Sequence, residues 1–82
     1  MQIEFLSGVD IFDEADRVQV IVDLPVVKEH DLSVDLEATA LLISARAGDR
    51  YYHRHIDLGV PVKGTPDIHY NNGIFEIKIG KG

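Results

Sequence analysis

The stretch RVQVIVDLPVVKEHDLSVDLE, residues 17–37, decides the fold class. Apolar side chains occupy every even position of residues 17–24 and again of residues 32–36, with polar residues between them and Ile21 as the one apolar exception. Such alternation places one row of side chains on each face of a half-buried strand. A helix across the stretch is excluded because Pro25, between the two runs, would break it. The stretch therefore predicts two β-strands joined by a charged turn.

Five further runs have the composition of strands, at residues 9–12, 41–45, 51–58, 67–70 and 74–79. Turn-like segments separate them, including 59–66 with two glycines and two prolines. The strongest turn signal is Asn71-Asn72-Gly73, since Asn and Gly tolerate the positive φ angles of tight hairpins. Seven short strands without a helical stretch predict an all-β, antiparallel, immunoglobulin-like sandwich that forms one domain over residues 1–82.

Size and charge limit the classes of partner. The chain has 82 residues, a formal net charge of -6 and no cysteine. A domain this small buries only about 60 % of the surface of its unfolded chain, so protein partners or self-association are favoured. Without a cluster of basic residues, we expect neither nucleic acid nor membrane as a partner. No leader-like or membrane-spanning pattern occurs in the sequence, so we expect a cytoplasmic protein.

Three segments, in this order, resemble the alpha-crystallin domain of the small heat-shock proteins. Residues 9–44 are similar to the family's opening, in which a strand ends in Leu-Pro and a Leu-x-Ile strand follows, here Leu41-Leu42-Ile43. YYHRHIDLGVPV (51–62) is similar to its Tyr- and Arg-rich strand, and YNNGIFEIKI (70–79) to its Asn-Gly-Val-Leu strand. The order and spacing of the three segments carry the resemblance.

The chain departs from the family pattern at several points. Val26 stands where the family has the glycine of Leu-Pro-Gly. Gly59, after Leu58, stands where the family has the proline of a second Leu-Pro, and Pro61 follows two positions later. Bacterial and plant members have a long loop whose strand is exchanged between partners, whereas only residues 46–50 are present here. We therefore expect at most a dimer. We also expect the flanking tails, including the C-terminal tail with its Ile-x-Ile anchor, to be absent. Ile77-Lys78-Ile79 has the spelling of that anchor, but it lies inside the last predicted strand and is assigned to the core.

The resemblance implies an ATP-independent chaperone that holds unfolded or partly folded client proteins, with no cofactor, no metal and no catalysis. In the family, the strands that match residues 31–37 and 67–70 border a groove for Ile-x-Ile tails and client segments. Carried over to this sequence, the groove is lined by five apolar side chains: Leu32, Val34, Leu36, Ile68 and Tyr70. The other interpretation is that these side chains are ordinary core, because a two-sheet sandwich needs such rows from every strand.

Two rival functions remain open. The first is an interaction module that serves one specific partner, as in the co-chaperone CS domain and the gas-vesicle accessory proteins. The second is a metal-dependent enzyme that uses His53 and His55, which share one face of a strand. No spacing indicates a third ligand, and neither Ser7 nor Ser44 lies in a nucleophile motif, so binding without chemistry is favoured.

Overall fold

The computed structural model describes residues 2–82. It has eight strands: β1 (Gln2–Phe5), β2 (Val9–Asp13), β3 (Arg17–Asp23), β4 (Leu32–Leu36), β5 (Ala40–Ala47), β6 (Arg50–Asp57), β7 (Val62–Asn71) and β8 (Ile74–Lys81). One turn of 3-10 helix, Glu29–Asp31, precedes β4. In residues 2–82 no helix is long and apolar enough to cross a membrane.

The strands form two four-stranded sheets. The first sheet has the order β1-β6-β5-β4 and the second has the order β2-β3-β8-β7. Every pairing is antiparallel except that of β1 with β6. This arrangement confirms the predicted all-β sandwich.

The core lies between the two sheets and is made by the alternating rows seen in the sequence. Val20 on β3 lies opposite Ile77 on β8, and both side chains are fully buried. Val22 and Phe75 form the next such pair, likewise fully buried. The first sheet contributes Leu41 and its neighbours on β5, so the buried cluster is Leu6, Val18, Val20, Val22, Leu24, Val27, Leu41, Ile43, Ala45, Ile56, Phe75, Ile77 and Ile79.

Two hairpins follow the turn chemistry of their residues. Asn71 pairs with Ile74, and the two residues between them have positive φ angles, 49° at Asn72 and 84° at Gly73. This is the pattern of a type I′ turn, and the predicted hairpin is confirmed. Ala47 pairs with Arg50 across a two-residue turn that starts at Gly48 with a φ of 63°. Residues 46–50 are thus fully used by a tight hairpin and contain no additional strand.

The two largest differences from the sequence prediction are an additional strand, β1, and the early start of β7. β1 was not predicted, because its four residues find their partner about fifty residues away on β6 and local patterning does not show that pairing. Residues 59–66 were predicted as a turn, but β7 begins at Val62 and includes Gly64 and Pro66. An edge strand tolerates both residue types, and the register with β8 shifts between Lys63 and Asp67, which is typical of a bulge.

Candidate peptide-binding groove

One side of the sandwich is bordered by β4 and β7, and no further strand of residues 2–82 covers it. Each of these strands is the last in its sheet, and their Cα atoms approach within 8 Å of one another. At one end the opening is closed by the amide of Val62, which donates a hydrogen bond of 3.1 Å to the carbonyl oxygen of Ala38. The open side is therefore bordered by two edge strands and has a defined end.

The strand register shows which side chains point into this opening. Val34 lies opposite the fully buried Ile43, and Ile68 lies opposite the fully buried Ile77, so both face the interior between the sheets. Tyr70 lies opposite Phe75, with 4.8 Å between the ring centroids. The five side chains predicted to line a groove thus form two rows that face the interior, Leu32, Val34 and Leu36 on β4 and Ile68 and Tyr70 on β7; we call this set the edge groove.

The edge groove differs from the core in its exposure. Core side chains on the neighbouring strands, such as Ile43 and Ile77, have no exposed surface. Val34, in contrast, is only half-buried, as are Leu32, Leu36 and Tyr70, although all four pack against the core. Ile68 is 38 % exposed. Covering an apolar surface of this kind with another apolar side chain is favourable, because it removes both surfaces from water.

Within residues 2–82, the outer edge of β4 has backbone hydrogen-bonding groups that no other strand pairs with. The amide of Glu37 donates to the carbonyl oxygen of Ala40 at 2.9 Å, which makes this the hydrogen-bonded pair that closes the β4–β5 hairpin. Such pairs alternate with non-bonded pairs in an antiparallel ladder. Asp35 therefore bonds to β5, whereas Val34 and the other groove residues of β4 direct their backbone N–H and C=O groups away from it. A peptide in extended conformation can add to this edge.

The solvent-facing row of β4 is acidic. It consists of Ser33 and Asp35, with Asp31 just before the strand and Glu37 just after it, and all four are exposed. Neither Asp35 nor Glu37 takes part in any of the ion pairs found among residues 2–82. Asp35 has the apolar Leu42 as its neighbour on β5. We call Asp35 and Glu37 the acidic rim of the edge groove.

The two other candidate sites are a histidine pair on β6 and a cleft on the first sheet. His53 and His55 are exposed on β6, and within residues 2–82 no group of three or more His, Cys, Asp or Glu side chains could hold a metal ion. An open cleft of about 320 Å³ lies on the outer face of the first sheet, where Tyr51 and Arg46 are among its lining residues. Neither place brings together groups that would perform chemistry.

Comparison with known proteins yields no match to a family model and none to a curated protein sequence. Solved structures do match. A mutant of hsp14.1 from Sulfolobus solfatataricus P2 is 28 % identical with a TM-score of 0.76, and the match covers 90 % of this chain and 70 % of that one. The chain has the alpha-crystallin fold of the small heat-shock proteins. Two more distant structures share this fold. Heat shock protein 16.0 from Schizosaccharomyces pombe is 23 % identical with a TM-score of 0.76, and the match covers 89 % of this chain and 84 % of that one. The hspA protein from Xanthomonas axonopodis is 24 % identical with a TM-score of 0.75, and the match covers 89 % of this chain and 90 % of that one.

The sequence prediction missed one contact that shapes this alpha-crystallin domain. Arg54 donates a 2.8 Å hydrogen bond from Nη1 to the carbonyl oxygen of Leu6, and its guanidinium carbon lies 4.7 Å from the centre of the Phe5 ring. A guanidinium over an aromatic ring is attracted by the ring's negative face. Arg54 thus fastens the end of β1 to β6. The basic and aromatic composition of residues 51–55 was the available signal, but it did not specify a partner at residues 5–6.

Proposed function

We propose that the domain is an ATP-independent holdase that binds exposed apolar segments of unfolding proteins in the edge groove. The observation that carries the proposal is the open edge of β4, where a half-buried apolar row lies beside free backbone hydrogen-bonding groups. The similarity to solved heat-shock proteins supports a chaperone role. The proposed function is binding alone and assigns no catalytic step to any residue.

The expected affinity follows from the size of the groove. Burial of two isoleucine side chains of a bound segment stabilises the complex by about 3–6 kcal/mol. Ordering the segment and its side chains costs a substantial part of this gain, so a single site should bind in the millimolar to micromolar range. Weak binding of this kind suits a protein that must release many different clients.

An aggregation assay tests the proposed function. A client protein that aggregates on mild heating or on reduction should scatter less light when the domain is present in molar excess and ATP is absent. The physical reason is that the groove covers the apolar segments through which client molecules would otherwise associate. Unchanged aggregation at a large excess of folded domain would contradict the proposal.

We further propose that the domain self-associates at most to a dimer. Support comes from the two-residue turn at Gly48 and Asp49, which leaves residues 46–50 no length for a strand that exchanges between partners. Light scattering at micromolar concentration should therefore give the mass of one or two chains. A stable assembly of more than two chains, such as one of a dozen or more, would contradict this.

A further inference from the structure

We propose that the edge groove selects segments in which basic residues alternate with apolar ones. This inference rests on the proposed function and adds the chemical class of the occupant. The observation behind it is the acidic rim, Asp35 and Glu37, which lies on the solvent-facing row next to the groove.

The geometry of strand addition places the peptide's side chains in two rows. Successive residues of an extended segment point to opposite faces, so those that enter the edge groove alternate with those that face solvent. A peptide paired to the free edge of β4 has its solvent-facing side chains directly beside the row that contains Asp35. Side chains opposite one another on neighbouring strands have Cβ atoms about 4.5–5.5 Å apart, which is close enough for a lysine or arginine to interact with a carboxylate.

The acidic rim is available for such an interaction. None of the ion pairs described for residues 2–82 includes Asp35 or Glu37. Asp31, on the same row, is a different case because it lies 3.7 Å from His30 and lines a cleft together with Arg46. On the opposite border of the groove, Asp67 lies 3.3 Å from His69. Among residues 2–82, the charges on the β4 border that take part in no ion pair are therefore the negative ones of Asp35 and Glu37, while Lys63 on β7 is the unpaired cation of the opposite border.

The predicted effect is a modest but measurable preference. An opposite-charge pair across neighbouring strands strengthens binding about two- to fivefold, and a like-charge pair weakens it. The matched probes are three synthetic peptides of the form Ser-X-Ile-X-Ile-X-Ser, with X as lysine, glutamine or glutamate throughout. We expect the lysine peptide to bind most tightly and the glutamate peptide most weakly at low salt.

Two double variants separate the acidic rim from the general negative charge of the protein. Asp35→Asn with Glu37→Gln should bring the lysine peptide to the affinity of the glutamine peptide and leave the glutamine peptide unchanged. Asp10→Asn with Asp49→Asn changes the net charge equally at exposed positions on β2 and in the β5–β6 turn, and it should retain most of the lysine preference. Raising the salt from about 0.01 M to about 1 M shortens the screening length from about 30 to about 3 Å and should also remove the preference.

The outcomes distinguish this inference from the proposed function. If the glutamine peptide binds but the three peptides have equal affinities, or if both double variants reduce the preference equally, selection by the acidic rim is wrong while groove binding stands. If neither the glutamine nor the lysine peptide binds the folded domain, both proposals fail together. A preference lost only in the Asp35 and Glu37 variant supports the inference.

Discussion

Val34→Asp is expected to lower the affinity for an Ile-x-Ile peptide at least tenfold, to about the limit of detection, while the domain stays folded. Val34 faces the open side of the sandwich and is only half-buried, so a carboxylate there can stay hydrated in the unbound domain. An isoleucine that entered the groove would have to strip water from this carboxylate without offering it a partner, which costs more than the contact gains. Peptide titration measures the affinity, and suppression of client aggregation should be lost in parallel.

The matched control for this variant is Ile11→Asp. Ile11 lies on β2, at the opposite open side of the sandwich, and faces the interior beside Val20 with 45 % of its surface exposed. We expect this variant to fold and to bind the peptide like the parent protein. Two results would contradict this expectation. A folded Val34→Asp that still binds the peptide would show that Val34 does not line the binding site. An unfolded Val34→Asp would show that Val34 belongs to the buried core.

Gly73→Ala should destabilise the domain by about 3 kcal/mol or more. Gly73 has a φ of 84°, a region that costs an L-amino acid conformational strain. In addition, an added Cβ would lie 2.6 Å from the Cα and 3.0 Å from the Cβ of Pro25, and this backbone cannot move cheaply because the amide of Leu24 donates a 2.9 Å hydrogen bond to the carbonyl oxygen of Gly73. Urea unfolding followed by circular dichroism gives the free energy of unfolding.

Gly48→Ala separates the strain from the clash. Gly48 has a φ of 63° in an equally short hairpin, but an added Cβ would meet no atom within 4 Å. We expect this variant to lose about 1–2 kcal/mol, the cost of strain alone. If the two alanine variants lose the same free energy of unfolding, the segment around Pro25 must move to accommodate the added Cβ. Its contact with the β7–β8 turn would then not be rigid.

The parts of the fold that could be predicted from the sequence are those with strong local signals. The alternating rows of residues 17–24 and 32–36 determine which face of β3 and β4 is buried, because a one-residue shift in register would turn every apolar side chain to solvent. Asn72 and Gly73 specify the β7–β8 hairpin through their backbone conformations. β1 could not be predicted in this way, since it is placed by pairing with β6 and by the contacts of Arg54.

The five residues of the candidate site were proposed from the family resemblance, and their exposure could not be predicted from the sequence. Alternation shows that Val34 and Ile68 face the interior, but not whether a further strand covers them. That depends on the strand order, which leaves β4 and β7 at the ends of their sheets. The position of the acidic rim likewise could not be predicted from the sequence. The odd-numbered positions 31, 35 and 37 are visibly acidic in the sequence, yet only the free edge of β4 gives Asp35 and Glu37 a position beside a bound peptide.

The most direct test of the edge groove is to map peptide binding by NMR on the isotope-labelled domain. Titration with the lysine-containing Ile-x-Ile peptide should shift the backbone amide signals of Leu32–Leu36 and of residues 68–70, with the largest changes at Val34 and Ile68. The signals of β1 and β2, on the opposite side of the sandwich, should stay in place. Shifts concentrated on β1 and β2, or on the outer face of the first sheet, would contradict the assignment of the β4–β7 opening as the binding site.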